Sequence, residues 1–218
     1  MAYRRTEKVV RRLAARHDAI MAAARGLATE RGMGAVQIAP VAARAGIAAG
    51  TVYRYFPSKT EMVTALVNAM SEREIAAMRR AADAAPGPLS ALAAAIASFA
   101  ARALAARRLA WAVLAEPVDG EVAAVRIAYR RALAAEIERR LADAIAAGHV
   151  PEQDTALAAP ALVGALIEGL IGPLAPDLPG DPAKARAAAQ TLTLLALRSL
   201  GVVDARARGL VVSVISDQ

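Results

Sequence analysis

The sequence predicts an all-α protein of about nine helices, with a three-helix domain at the N-terminus and a larger helical domain after it. In most segments apolar side chains recur every three or four residues between charged ones, as they do along helices with one buried face. A convincing strand alternation is confined to the tail GLVVSVIS, from Gly209 to Ser216. Apolar residues reach 57% and aromatic residues only 3%, because alanine, the best helix former, supplies much of the apolar fraction. These observations favour helices packed on helices.

Three helices are predicted in residues 1–60, the first predicted domain. The first runs from about Arg12 to Arg31 and ends at nearby glycines. The second runs from Gln37 to Ala45, and it tolerates Pro40 because a proline in the first turn has no intrahelical N–H partner to lose. Gly46 then provides the left-handed residue that favours a helix end. The third helix runs from Ala49 to Phe56 and stops before a proline.

The rest of the chain is predicted to form a larger helical domain over residues 61–201 and a tail over residues 202–218 whose role stays open. Ser58 and Glu61 have the spacing of a capping box at the start of the fourth helix. The segment Ala85–Pro88 is the clearest break in the chain. From the fourth onward, the helices are predicted over Ser58–Ala82, Leu89–Ala106, Arg107–Glu116, Glu121–Ala147, Asp154–Leu174 and Pro182–Leu200.

The positive charge is concentrated in the first predicted domain. Residues 1–60 hold eleven Lys or Arg against three Asp or Glu, a net charge of +8, whereas the whole chain carries +7. Residues 61–218 therefore carry −1. This asymmetry is expected when one module binds a polyanion and the other does not, and nucleic acid is the leading partner. A solvated basic face and a contact with an anionic membrane are the alternatives that charge alone leaves open.

Two short helices joined by a tight turn with a glycine, inside a basic module, indicate a helix-turn-helix. The residues that follow carry a resemblance as well. The runs Ile20–Leu27 and Val41–Lys59, which combine AG, GTVYRYF and SK at fixed spacing, resemble the DNA-binding signature of TetR-type transcription regulators. This resemblance implies a ligand-responsive regulator that binds operator DNA as a homodimer.

The resemblance implies that the helix from Ala49 lies in the major groove of DNA. It also implies that Thr51 and Tyr53 contact phosphates and that Lys59 reaches the backbone from the start of the next helix. Hydroxyl and ammonium groups are suitable phosphate donors, and such contacts fix the register without reading the sequence. Gln37, at the start of the first motif helix, is a further candidate for a phosphate contact.

The sequence departs from the family pattern where bases would be read. Ala48 stands where a hydroxyl residue often caps the recognition helix, and Ala49 and Gly50 follow it. Few side chains there can hydrogen-bond to a base edge, although methyl contacts with thymine stay open. An N-terminal arm in the minor groove and a disordered arm are both open for the first residues. The polar candidates for base contacts are Arg54, Tyr55, and Arg4 and Arg5 of that arm.

The resemblance also implies that the last two long helices of the larger domain form a dimer. The sequence supports this separately, because small residues at four-residue spacing allow a partner helix to approach closely. The alternative is an ordinary core within one subunit. The predicted interface residues are Ala161, Ala165, Leu166 and Gly169 on one helix, and Leu192 and Leu195 on the next.

The resemblance implies an effector enclosed by the larger domain, and three of the seven aromatic residues fall in neighbouring helices there. Phe99, Trp111 and Tyr129 therefore predict a pocket for a mainly apolar small molecule. Core packing or surface ion pairing is the alternative for each polar candidate. Those polar candidates are Glu116, Arg126 and Glu168.

No enzyme motif accompanies these features. The sequence has no cysteine, and His17 and His149 lie far apart, so neither a metal site nor a cofactor is expected. The charged N-terminus is unlike a secretion signal, so a cytoplasmic protein is expected. The apolar stretch from Thr155 to Pro176 is not expected to span a membrane, because Glu168 is central in it. A DNA-binding protein without an effector and an all-helical enzyme are the alternative functions.

Overall fold

A computed structural model describes residues 7–117, 120–177 and 181–216. Those residues form ten α-helices and one short 3-10 turn, Met33–Ala35. The all-α prediction is confirmed, with one helix more than expected. The helices are α1 Glu7–Arg31, α2 Ile38–Arg44, α3 Ala49–Tyr53, α4 Lys59–Asp83, α5 Pro88–Ala105, α6 Arg107–Leu114, α7 Gly120–Ala146, α8 Thr155–Leu170, α9 Pro182–Ser199 and α10 Asp204–Ser216.

Helices α1 to α3 pack around a small apolar core. Ile20, Val41 and Val52 are fully buried, one from each helix, and Phe56 closes the core after α3. Gly46, two residues after the end of α2, has φ +66°, a conformation that residues with a Cβ rarely adopt. Its conformation reverses the chain within a few residues, so that α3 crosses α2 as the predicted helix-turn-helix requires.

Helix α4 connects the two parts of the chain without a break. Ser58 precedes it, and the Ser58 Oγ accepts a hydrogen bond from the Glu61 N–H at 3.1 Å, which satisfies one free donor of the first turn. The predicted domain boundary between residues 60 and 61 therefore falls in the first turn of a helix of 25 residues. A displacement of α4 would reach both domains.

Helix α5 lies at the centre of the larger domain and packs against α4, α7 and α9. Every residue from 91 to 100 is buried, most of them alanine, which lets neighbouring helices approach closely. By length and apolarity α5 is the one helix among the described residues that could cross a membrane, but 72% of it is buried inside the protein. Its apolar character follows from its central position.

A cluster of charged residues joins α4 to α7. The Glu136 side chain is only 1% exposed, and its carboxylate accepts hydrogen bonds from Arg79 at 2.9 Å, Arg139 at 2.6 Å and Arg140 at 3.0 Å. Arg140 also pairs with Asp83 at the end of α4. We call these five residues the Glu136 cluster. It holds the C-terminal half of α4 against α7.

Within the tail, Asp204–Ser216 forms helix α10, so the strand pattern from Gly209 to Ser216 is a wrong indication of its structure. Helix α10 packs against α5 and α9. Among the α10 side chains that the structure describes, Ala207 and Val211, four residues apart, are buried, and the bond from Arg198 to Asp204 secures the start of the helix. The apolar residues that alternate as in a strand are in fact arranged on a helix, which buries one face of the tail.

Candidate functional site

The start of α3 is exposed at the protein surface. Ala48, Ala49 and Gly50 are all exposed, and no side chain caps the helix. Tyr53 is 52% exposed, and Arg54 beside it is exposed too. The small residues at the start of α3 would let a large ligand approach the backbone closely.

The polar side chains of α3 have no partner inside the described part of the chain. Thr51, Tyr53 and Arg54 form no side-chain hydrogen bond or ion pair there, so their donors are available to an external molecule. Arg44 at the end of α2 differs, because it binds both carboxylate oxygens of Glu30 at 2.6 and 2.7 Å. Its charge is neutralised within the domain.

A cavity of about 390 Å³ lies between α1, α4, α5, α6 and α7. We call it the interdomain cavity, since α1 belongs to the N-terminal domain and α5 to α7 belong to the larger one. Its apolar wall includes Met70, Phe99, Ala103, Leu109, Val113 and Leu114. Its polar groups are Arg25, Thr29, Arg73, Glu74, Arg102 and Tyr129. A mostly apolar wall with a few polar groups is typical of small-molecule sites.

One side of the interdomain cavity carries an ion pair. The Arg102 Nε lies 3.0 Å from both carboxylate oxygens of Glu74. Burial raises the pKa of Glu74, and the hydrogen bonds from Arg102 oppose that rise. Burial, with the negative charge of Glu74 beside it, also raises the pKa of Tyr129 well above its ordinary value. Tyr129 therefore remains a neutral hydroxyl.

A carboxylate from the larger domain binds the backbone of the N-terminal domain. The Glu116 Oε2 accepts a hydrogen bond from the Met33 N–H at 2.7 Å, and its Oε1 accepts one from the Gly34 N–H at 3.3 Å. At Gly32, where φ is +85°, a Cβ would lie 2.9 Å from Glu116 Oε2. The glycine thus allows both the turn and the close approach of this carboxylate.

Glu116 is itself held in place by α7. The Arg126 guanidinium donates to the carbonyl oxygens of Ala112 and Glu116, and Arg130 donates to the carbonyl of Leu114 at 2.6 Å. These donors satisfy carbonyls at the C-terminal end of α6 that have no partner within the helix. Helix α6 therefore borders the interdomain cavity along its length and contacts the N-terminal domain at its end.

The N-terminal region matches the family model described as bacterial regulatory proteins, tetR family, over residues 20–66. Those residues are α2, α3 and parts of α1 and α4, the helices that present the exposed surface. Residues 20–66 therefore form an N-terminal domain of the tetR type.

Three proteins illustrate what the chain is similar to. The HTH-type transcriptional repressor KstR of Mycolicibacterium smegmatis is 40% identical over 77 residues, which are 35% of this chain and 38% of that relative. A TetR-like transcriptional regulator from Rhodococcus sp. RHA1 has 26% identity and a TM-score of 0.64, over 86% of this chain and 96% of that one. The regulator RolR in complex with resorcinol has 23% identity and a TM-score of 0.65, over 93% of this chain and 95% of that one.

The remaining predicted DNA contacts differ in their surroundings. Gln37 is exposed, although its side-chain amide already donates to the Gly34 carbonyl at 3.0 Å. The Tyr55 hydroxyl is buried without a partner in the described chain, so it points away from the exposed surface. Lys59 is half-buried and borders a small cleft beside Glu116. Arg4 and Arg5 lie outside the described residues.

Of the predicted pocket residues, Phe99 and Tyr129 line the interdomain cavity. Trp111 borders a different, more open cleft beside Asp177, because it projects from another side of α6. Glu116 and Arg126 are engaged in the contacts described above. Glu168 accepts a hydrogen bond from the Leu174 N–H at 2.9 Å, at the end of α8. The three aromatic residues lie on successive helices, and α6 turns a different face to the interdomain cavity, the one that carries Leu109 and Val113.

The cavity also contains groups that sequence reasoning missed. Arg25 and Thr29 belong to α1, and Glu74 belongs to α4, neither of which was predicted to border a pocket. Arg102 had a detectable signal, because it lies three residues after Phe99 and thus on the same helix face. Its partner Glu74, 28 residues away, had no local signal.

Small and apolar residues form an exposed stripe along α8 and α9, which we call the α8–α9 face. Leu157 is 69% exposed and Leu195 is 54% exposed. Ala161 and Ala165, on the same helix as Leu157, are exposed too. The other members of the face are Gly164 and Thr191.

Three predicted interface residues lie elsewhere. Leu166 is buried inside the subunit, where it contributes to the core. Gly169 and Leu192 face each other between α8 and α9, since a Cβ at Gly169 would lie 3.1 Å from the Leu192 Cδ2 of the same chain. They join the two helices within one subunit.

Proposed function

We propose that this protein is a homodimeric transcription repressor of the cytoplasm that binds operator DNA through α3 and releases it when a mainly apolar small molecule occupies the interdomain cavity. The observation that carries the proposal is the composition of the cavity wall. Helix α1, which supports α3 in a common core, contributes Arg25 and Thr29 to the wall. Occupancy of the cavity therefore acts directly on the domain that contacts DNA.

The exposed surface of α3 supports the DNA contact. Thr51 and Tyr53 present hydroxyls without internal partners, as phosphate contacts require. Arg54 presents a guanidinium that can bind a guanine edge with two hydrogen bonds. Arg4 and Arg5 remain proposed minor-groove contacts. The net charge of +8 on residues 1–60 favours association with the polyanion, and regulation rather than catalysis is the activity we propose.

The α8–α9 face supports the dimer. An exposed stripe of small and apolar residues at helical spacing is expected at an interface between helices. Two copies related by a two-fold axis would each contribute the same stripe, with Ala161 and Ala165 at the closest approach. Such a dimer presents two α3 helices, which corresponds to a palindromic operator with two half-sites.

A ligand can release the operator only if it binds the two conformations with different affinity. The interdomain cavity allows that difference, because a displacement of α1 relative to α6 changes its shape. RolR, which has the same fold, was crystallised with resorcinol, an example of a small ligand in this architecture. We propose α4 and the Glu116 contact as the elements that carry the displacement to α3.

The experiment that tests this function starts without any ligand. Duplexes selected from a random library by the purified protein are expected to converge on a palindrome, with an affinity that falls steeply with salt because phosphate contacts release counterions. Failure to enrich any duplex would exclude an operator-binding regulator. Enrichment of single half-sites would retain DNA binding and exclude the dimeric arrangement.

Arg54→Ala is expected to reduce discrimination between the selected operator and single-base variants of it. Each two-bond contact with a base is worth about 1–3 kcal/mol, so discrimination at one position should fall by about tenfold or more. Fluorescence anisotropy with a panel of point-mutated duplexes measures it. Arg206→Ala is the control, because Arg206 is exposed on α10 and its loss removes the same charge. Equal discrimination by the two variants would assign base reading to other residues.

Glu116→Ala is expected to loosen the N-terminal domain from α6. The variant removes a charge-assisted hydrogen bond to the buried Met33 amide, a bond of a kind worth about 1.5–3 kcal/mol, so exchange of that amide should accelerate by about tenfold. Hydrogen exchange resolved over residues 28–37 measures it. Glu121→Ala, an exposed change on the neighbouring α7, should leave the exchange unchanged. Unaltered protection of Met33 in Glu116→Ala would remove this contact from the mechanism.

A further inference from the structure

We propose that the effector carries one negative charge on an apolar body, as a fatty or aryl carboxylate does, and that Arg25 of α1 binds that charge. This inference rests on the function proposed above and specifies the chemical class of the ligand. It also assigns to α1 the residue that recognises it.

The charges around the interdomain cavity do not cancel. Arg25, Arg73 and Arg102 contribute three positive charges and Glu74 contributes one negative charge, which leaves a net +2. Glu74 binds Arg102 through both oxygens at 3.0 Å, so this arginine already has its counterion. The net charge of +2 is therefore carried by Arg25 and Arg73.

Arg25 is the better placed of these two arginines. It is half-buried, whereas Arg73 is exposed at the rim, where water can solvate it. The Arg25 side chain forms no hydrogen bond or ion pair with any other described residue. The side chains three and four positions away on α1 are Ala22, Met21, Ala28 and Thr29, none of which is acidic.

A neutral ligand would remove water from the Arg25 guanidinium and supply no counterion, which is unfavourable. A carboxylate would replace that water with two charge-assisted hydrogen bonds, for which the planar guanidinium is well suited. Glu74 repels an anion from the Arg102 side. The charged end is thereby directed to Arg25, and the apolar body to the wall that includes Phe99 and Leu109.

The volume of the interdomain cavity limits the size of the apolar part of the effector. About 390 Å³ lies near the lower end of the range that holds compact organic ligands, roughly 300–1,000 Å³. Acids such as hexanoate, octanoate, decanoate and 4-phenylbutyrate are of this size. Each has a primary alcohol of the same carbon skeleton, so charge can be varied while the apolar contacts stay constant.

The test is calorimetric titration of the full-length protein with these four acids and their four alcohols. At least one acid is expected to bind about tenfold or more tightly than its alcohol, because only the acid forms a charge-assisted contact with the arginine. Arg25→Gln should abolish that preference by weakening the acid alone, and Arg25→Lys should restore part of it. Arg12→Gln, which removes the same charge from an exposed position of α1, should leave the preference intact.

The proposal is overturned if no acid binds at millimolar concentration, if the alcohols bind as tightly as the acids, or if Arg25→Gln retains the preference. Thermal unfolding of each variant shows that it is folded before titration. Operator binding is measured separately and without any acid. Acid binding without operator binding would contradict the proposed repressor and leave the anion site in place, and the reverse result would contradict the anion site alone.

Discussion

Ala165→Arg is expected to convert the dimer into a folded monomer and to lower operator affinity by about a hundredfold or more. Ala165 is exposed on the α8–α9 face, so the arginine causes no clash within the subunit. In a two-fold dimer it would place two unpaired positive charges in an apolar interface. Operator affinity falls because two half-sites joined in one dimer bind with an avidity of roughly 10²–10⁴ over a single one. Sedimentation velocity and anisotropy measure the two effects.

The matched control for this prediction is Ala142→Arg. Ala142 is exposed on α7, outside the α8–α9 face, and its replacement adds the same side chain. A dimer that survives Ala165→Arg would place the interface on another surface. Gly169→Leu is a poorer probe, because its side chain would meet Leu192 of the same subunit and disturb the packing of α8 on α9.

Glu136→Ala is expected to lower the free energy of unfolding by about 3 kcal/mol. Removal of one partner from a buried ion pair costs about 3–5 kcal/mol, and the lower value applies because Arg79 and Arg139 are partly exposed and can be hydrated. Arg140, by contrast, has a buried side chain and would retain only Asp83 as counterion. For a chain of this length the unfolding midpoint should fall by about 6–12 °C.

Calorimetry or circular dichroism measures that midpoint. Asp143→Ala is the control, since it removes an exposed carboxylate from the same helix. Glu136→Gln should have a smaller effect, because the amide oxygen still accepts from one arginine. If Glu136→Ala unfolds at the temperature of Asp143→Ala, the Glu136 cluster does not hold α4 against α7.

Features that depend on neighbouring residues were predicted well. Pro40 and Gly46 mark the start and end of α2, and Ser58 caps α4, because a helix end is decided within one turn of the chain. The tail is the exception. Its alternating apolar residues satisfy a strand pattern, yet α5 and α9 offer an apolar surface that buries Ala207 and Val211 on a helix. Tertiary packing overrode the local pattern.

The sequence by itself determined the helical class, the helix-turn-helix and the basic charge of the domain that contains it. Only the tertiary structure decided which side chains share the interdomain cavity, since Arg25, Glu74 and Arg102 are brought together from three helices. It also turned Trp111 away from that cavity and brought Glu116 to the Met33 amide, 83 residues away in sequence. The physical reason is the sequence separation of the residues that interact. Caps and turns depend on adjacent residues, whereas a cavity depends on how whole helices rotate and pack against each other.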